Sequence, residues 1–95
     1  MNTETTQAWL SLRWEKGSRY YRVLLQPDLW HQWVVIRSGG WKNTALGRVV
    51  PLPVASYEEG LASIEQMGRV RQRRGYTLVN VGAMENVAER TRVPS

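Results

Sequence analysis

Residues 19–40 read RYYRVLLQPDLWHQWVVIRSGG and contain the two segments that decide the fold. In residues 19–26, Tyr21, Val23 and Leu25 share one side of a segment rich in strand-forming residues. Pro27 ends that segment, because proline cannot extend a hydrogen-bonded ladder. Residues 32–37 alternate apolar side chains on both sides, which predicts a strand in the middle of a sheet. A turn is expected at residues 38–40, where Gly39 and Gly40 follow this strand.

The flanking segments extend the same pattern. Residues 9–14 alternate with a period of two, with Leu10, Leu12 and Trp14 on one side, so they predict a strand that a turn at residues 16–18 joins to the next one. A weaker strand is expected over about residues 44–50, with Pro51 and Pro53 stopping it.

Beyond the prolines the periodicity becomes helical. Ser56 is a favourable N-cap and Glu59 follows three residues later, which is the spacing of a capping box. Tyr57, Leu61 and Ile64 recur at helical spacing, and Gly68 on the same stripe predicts a close approach to the sheet. The helix is expected to end near Gly75, and residues 76–79 predict a short last strand.

The order of these elements predicts a small α+β domain: an antiparallel β-sheet of four to five strands with one main α-helix packed on one face. A chain of 95 residues supports one such domain, here residues 8–79. Residues 1–7 are expected to be a disordered N-terminus. Residues 80–95 are expected to be a C-terminal tail that is either loose or helical for one or two turns.

Residues 19–79 resemble a WGR domain. The resemblance rests on Tyr20-Tyr21-Arg22-Val23-Leu24-Leu25, on residues 33–40, on Gly47, on the helix over residues 56–74 and on Gly75-Tyr76. WGR domains occur in poly(ADP-ribose) polymerases and as small free-standing bacterial proteins. Their fold is an antiparallel sheet with one helix, so the resemblance implies the fold class that the periodicity also predicts.

The Trp-Gly-Arg signature of that family falls on Gly39, Gly40 and Trp41, of which only Gly40 matches. Arg37 and Gly47 also fit the family pattern. In the polymerases this region helps the domain to grip DNA, and the signature Trp packs on a sugar at a strand end. The resemblance therefore implies DNA binding, while Gly39 has no ring with which to make that contact.

Composition argues against catalysis. The chain has no Cys and a single His, so thiolate nucleophiles, disulfides, Cys-containing zinc sites and His-rich metal sites are excluded. His31 is expected to be an exposed loop residue. We therefore expect no enzyme activity, cofactor, metal or small-molecule substrate. The longest apolar run, residues 33–36, is far too short to cross a membrane, and residues 1–7 are unlike a signal peptide, so a cytoplasmic location is expected.

Basic residues concentrate around the glycine pair. Residues 19–55 carry a net charge of +4, out of +5 for the whole chain. Cations together with an exposed ring are suited to phosphate and to a sugar or base. This predicts a nucleic-acid contact surface made by Arg37, Trp41, Lys42 and Arg48. The alternative is an ordinary turn whose Trp41 folds into the core while the cations are simply solvated.

Arg69 and Arg73 share one side of the predicted helix and would extend that surface. Alternatively, they only offset the negative end of the helix dipole. Trp33 is expected in the core and Trp14 at least half buried. Trp30 has no core position and is expected to fold onto the sheet edge, the alternative being an exposed ring that contacts a partner.

Together these patterns predict a non-enzymatic module that binds nucleic acid, most simply DNA, through phosphate contacts with little sequence preference. The alternative is a protein-interaction module or homodimer that pairs through an exposed sheet edge, with Trp30 or Trp9 buried at the contact.

Overall fold

Five strands and one helix form in the order that the sequence predicts. The computed structural model describes residues 7–44 and 47–84. Residues 1–6, 45–46 and 85–95 lie outside the described residues. They include most of the predicted N-terminal segment, residues 1–7, and most of the predicted tail, residues 80–95. The elements are β1 (Trp9–Lys16), β2 (Arg19–Pro27), β3 (Trp33–Trp41), β4 (Gly47–Pro53), α1 (Tyr57–Arg73) and β5 (Thr77–Met84).

The strands form one antiparallel sheet in the order β4-β3-β2-β1-β5. Short hairpins join the first four strands, and the segment containing α1 carries the chain from the β4 edge across to the β5 edge. The helix lies against one side of the sheet, which we call the helix face; the opposite side is the open face. The predicted α+β class, with one helix on one face of an antiparallel sheet, is confirmed.

The core lies between the helix face and α1. Its buried members are Trp14 from β1, Val23 and Leu25 from β2, Val35 from β3 and Ile64 from α1. Leu25 pairs with Val35 and lies two positions after Val23, and Trp14 pairs with Tyr21, two positions before Val23, so the period-two pattern of the sequence is the cause of the core.

Two glycines let the helix approach the sheet closely. A Cβ atom on Gly60 would lie 2.6 Å from Leu25 Cδ1, and one on Gly68 would lie 3.3 Å from Trp14 Cζ2. The close approach that the sequence predicts at Gly68 is confirmed, and Gly60 makes a tighter one. Leu61, expected on the buried stripe, is 39% exposed because the side of α1 that meets the sheet runs through Gly60 and Ile64 instead.

Both ends of α1 follow the sequence. The Ser56 hydroxyl accepts a hydrogen bond from the Glu59 backbone N–H at 3.1 Å, and the Glu59 carboxylate accepts one from the Ala55 N–H. At the other end Gly75 has φ +89°, a left-handed conformation that glycine adopts without strain. The N-cap at Ser56 and the helix end near Gly75 are confirmed, and the capping box differs in one bond, because Glu59 accepts from the N–H of Ala55 rather than from that of Ser56.

Three strand boundaries differ from the prediction. Gly39 and Gly40 are not a turn: they lie in β3 and pair with Tyr21 and Tyr20 of β2. Pro51 and Pro53 do not stop β4 but lie within it, which an edge strand tolerates because one side of its backbone needs no partner. The last strand continues to Met84 rather than ending at residue 79, because β1 reaches back to Trp9 and pairs with it on both sides of a register shift at Val79.

The β2–β3 loop holds two large apolar side chains in solvent. The Asp28 carboxylate accepts hydrogen bonds from the backbone N–H groups of Trp30 and Gln32 at 2.8 and 2.9 Å. In this loop Leu29 is 88% and Trp30 75% exposed. The expectation that Trp30 folds onto the sheet edge is therefore wrong, because the Asp28 turn directs the chain away from the sheet. His31 is exposed, as expected.

The helix found in residues 7–44 and 47–84 is neither long enough nor apolar enough to cross a membrane.

Candidate functional site

A cleft of about 520 Å³ opens on the helix face, between the last turns of α1 and strands β2, β3 and β4. Four arginines line it, and we call it the arginine cleft. They come from four different elements, so the folded chain brings together charges that are far apart in sequence. These arginines are Arg19, Arg37, Arg48 and Arg71.

Strand register places two of the arginines side by side. Arg37 lies two residues after Val35 on β3 and therefore shares the helix face with this core residue. On the neighbouring strand, Arg48 pairs with Gly39, the next helix-face position after Arg37. The two guanidinium groups thus start from adjacent positions of adjacent strands.

The third arginine reaches the cleft from the helix. The Arg71 guanidinium carbon lies 4.2 Å from the centre of the Tyr21 ring and 5.2 Å from that of Tyr76. Such contacts between a cation and aromatic rings hold the side chain in one place. Arg71 is therefore fixed at the wall of the cleft instead of extending into solvent.

The positive charge of the cleft is not neutralised by the described part of the chain. Its described ion pairs join Arg13 and Lys42 to Glu15, and Arg69 to Glu65, and none involves the four cleft arginines. In addition, the Nε atoms of Arg37 and Arg71 are buried without a hydrogen-bond partner. Clustered arginines without a described carboxylate partner are typical of a site for an anion.

Gly39 leaves open space at the bottom of the arginine cleft, because it has no side chain. A Cβ atom at this position would lie 3.3 Å from both the Tyr20 carbonyl oxygen and Tyr21 Cδ1. Any larger side chain would stand on the helix face between Arg37 and Trp41, because residues two apart on a strand share a side. The glycine therefore leaves the space that the arginines surround.

Trp41 stands at the rim of the arginine cleft. Its side chain is 55% exposed, so the alternative in which Trp41 folds into the core is wrong. The Arg19 guanidinium carbon lies 5.2 Å from the centre of the Trp41 ring. A smaller hollow that includes Trp41 shares Arg19, Arg71 and Tyr76 with the cleft, so the ring and the arginines form one continuous surface.

Lys42 lies away from this surface. Its Nζ is 2.8 Å from Glu15 Oε1, and Glu15 Oε2 is 2.8 Å from Arg13 Nε. Glu15 belongs to the open face, since it follows the helix-face residue Trp14 on β1. The hydrogen bond from Lys42, and after it that from Arg13, lowers the pKa of the Glu15 carboxyl below its ordinary value. Lys42 is thus ion-paired with a carboxylate on the open face, on the other side of the sheet from the arginine cleft.

This arrangement predicts a pH-dependent contact. Because the pKa of Glu15 is lowered in the folded chain, its contribution to stability is present above the unfolded pKa and is lost as the pH falls through the folded pKa. We expect an NMR titration to show Lys42→Met raising the pKa of Glu15, with Lys42→Arg keeping it low. An unchanged Glu15 titration in Lys42→Met would contradict the contact.

The predicted site residues fall into two groups. Arg37 and Arg48 line the arginine cleft, and Trp41 stands at its rim. Lys42, Arg69 and Arg73 lie elsewhere: Arg69 Nη2 is 3.1 Å from Glu65 Oε2, and the side chain of Arg73 is exposed on α1.

Sequence reasoning missed Arg71 and Arg19 as members of the site. The sequence did contain evidence that Arg71 faces the sheet. Arg71 follows Met67 by four residues and Gly68 by three, so it lies on the stripe of α1 that meets the sheet. For Arg19 the signal was its pairing with Trp41 across β2 and β3, which depends on β3 continuing through the glycines.

No metal centre is formed by the described segments: no group of three His, Asp or Glu side chains there lies close enough together. Comparison of the chain with protein-family models finds no match, and neither does comparison with curated proteins or with solved structures. The resemblance to WGR domains therefore stays a prediction from the residues, and the function has to be argued from the arginine cleft.

Proposed function

We propose that this chain is a non-enzymatic module that binds nucleic acid, most simply DNA, through the arginine cleft and Trp41. The observation that carries the proposal is the convergence of four arginines on one cleft where no described carboxylate pairs with them. Guanidinium groups present planar sets of N–H donors that match phosphate oxygens, and nucleic acid supplies a phosphate at every nucleotide.

The shape of the surface favours a chain of phosphates over one isolated anion. The arginine cleft continues past Arg19 and Arg71 into the hollow beside Trp41, where Lys16 and Arg74 add positive charge. A polymer lying along this surface would place phosphates near the arginines and a sugar or base near the exposed indole. Rings of this kind contribute about 1–3 kcal/mol for each stacked base.

Phosphate and stacking contacts give little preference for one nucleic-acid sequence over another. Arginine bonds to phosphate fix the position of a nucleic acid but do not distinguish bases, and a stacking ring accepts every base. The predicted resemblance to WGR domains supports the same function, because that family grips DNA in the polymerases. The sugar contact of the family's signature Trp is not part of this proposal, which rests on Trp41 and the arginine cleft of this chain.

A salt titration tests the proposal. Binding of labelled single-stranded, intact duplex and broken-ended duplex DNA is followed by fluorescence anisotropy as the salt concentration rises. Phosphate contacts release counterions, so log K should fall linearly with log[salt] with a slope of about −0.7 to −0.9 for each phosphate contacted. An affinity that stays flat from low to moderate salt would rule out phosphate binding, and no binding to any of the three DNAs would overturn the proposal.

Trp41 offers a test with a matched control. Trp41→Ala should weaken DNA binding by roughly 5- to 150-fold, the loss of about 1–3 kcal/mol of stacking. Trp30→Ala removes another exposed indole, from the other end of the β2–β3 hairpin, and should leave binding unchanged. If both variants bind as the unchanged chain does, Trp41 is not part of the interface.

A further inference from the structure

The two edges of the sheet differ in chemistry. At one edge, β4 contains Pro51 and Pro53, which have no N–H to donate, and it carries Arg48. At the other edge, β5 reads TLVNVGAM and has neither a proline nor a charged residue over eight residues, and its one irregularity is the register shift at Val79. Proteins protect edge strands with prolines and charges, because an unprotected edge pairs readily with another strand.

We propose that β5 is the surface through which two copies of this chain pair, with the two β5 strands joined antiparallel so that two five-stranded sheets become one. In the described residues β1 is the only strand that pairs with β5. One side of the β5 backbone is thus left with a row of N–H and C=O groups that a strand can satisfy. This pairing does not rest on nucleic-acid binding.

The side chains of β5 favour a second copy of the same strand. Leu78, Val79 and Val81 are 46%, 47% and 60% exposed, although they are apolar. In an antiparallel pair whose two-fold axis passes through Val81, Val81 would meet its own copy and Val79 would meet Ala83, so apolar side chains would face one another. An acidic or basic peptide would find no opposite charge on this strand.

Electrostatics permits two positive chains to meet here. Arg13, which pairs with Asn80 of β5, is ion-paired with Glu15, and Arg69 is ion-paired with Glu65; the nearby described cations without an ion pair, Lys16, Arg73 and Arg74, lie at the Thr77 end of β5, away from Val81. The arginine cleft extends from β4 to Arg71 and Tyr76, and its central strand, β3, would lie seven strand spacings or about 33 Å from the β3 strand of a second copy. That distance exceeds the Debye length of about 8 Å at physiological salt, so repulsion between the clefts is screened at the contact.

Sedimentation equilibrium from micromolar to millimolar concentration, without nucleic acid, tests the pairing. The unchanged chain should form a dimer that moderate salt does not weaken, because the contact is uncharged. Val81→Lys puts a charge on β5 and should give a monomer. Val49→Lys is the matched control: Val49 is 63% exposed on the opposite edge strand, and this variant should remain a dimer.

Three results would overturn the proposal: a monomer at every concentration, a dimer that survives Val81→Lys, or a dimer lost in Val49→Lys alone. Circular dichroism checks that both variants fold. If Val81→Lys does not fold, hydrogen exchange on the unchanged chain decides the question. Exchange of β5 amides should then slow as the concentration rises, whereas β4 amides should not change, and equal behaviour of the two edges would count against the pairing.

Discussion

Replacing Arg37 and Arg48 together by Gln should weaken DNA binding by roughly 100- to 10,000-fold. Each arginine that hydrogen-bonds a phosphate contributes about 1.5–3 kcal/mol, and about 1.4 kcal/mol corresponds to a factor of ten. The slope of log K against log[salt] should also become shallower by about 1.4 to 1.8, or about 0.7 to 0.9 for each phosphate that no longer meets an arginine. Both effects follow from the position of the two side chains at adjacent sites of β3 and β4.

The matched control removes the same charge from another place. Arg69→Gln with Arg73→Gln also lowers the net charge by two, but neither residue lines the arginine cleft. This variant should bind DNA within a few-fold of the unchanged chain and keep its salt slope. If the two double variants lose affinity equally, binding depends on overall charge alone and the cleft is not the site. Thermal unfolding of both checks that folding is intact.

The largest expected loss of stability comes from Leu25→Ala. Leu25 is fully buried under α1, and truncating such a residue costs about 2–5 kcal/mol. A chain of this length is stable by only about 5–14 kcal/mol in total. We expect the Tm to fall by on the order of 10–30 °C, as measured by calorimetry.

A second substitution, at Gly60, tests whether the loss of stability in Leu25→Ala arises at the contact between α1 and the sheet. Gly60→Ala alone should destabilise the chain by about 1–3 kcal/mol, because its Cβ would lie 2.6 Å from Leu25 Cδ1. In the Leu25→Ala background that atom is gone, and Gly60→Ala should instead stabilise the chain through the higher helix propensity of alanine. Gly68→Ala, which meets Trp14 rather than Leu25, is the control and should be additive with Leu25→Ala. Additive effects at Gly60 and Leu25 would contradict the packing described.

Periodicity is sufficient to predict the fold class because it is the direct cause of the core. The alternation of Tyr21, Val23 and Leu25 puts these residues under α1, and the N-cap at Ser56 sets where α1 begins. The strand ends are harder to predict, because glycine and proline are ambiguous signals. Gly39 pairs with strands on both sides, which reasoning about one strand at a time cannot see.

The site is predictable only in part for the same reason. Arg37 and Arg48 can be found from the sequence because they lie close to the glycines. If residues 38–40 formed a turn, neither face of the sheet would be assigned to Lys42, so the sequence groups it with these arginines. Because β3 in fact continues to Trp41, Lys42 lies where it contacts Glu15 on the open face. Arg71 joins the site only through the packing of α1 on Tyr21, which brings together residues that are distant in sequence.

The two prolines of β4 limit the size of any assembly that the chain forms. A sheet with two exposed and similar edges could add copies without end and grow into a fibre. Here Pro51 and Pro53 remove N–H donors from one edge, which disfavours strand pairing there. In the proposed dimer both outer edges would be β4 edges, so growth would stop at two copies.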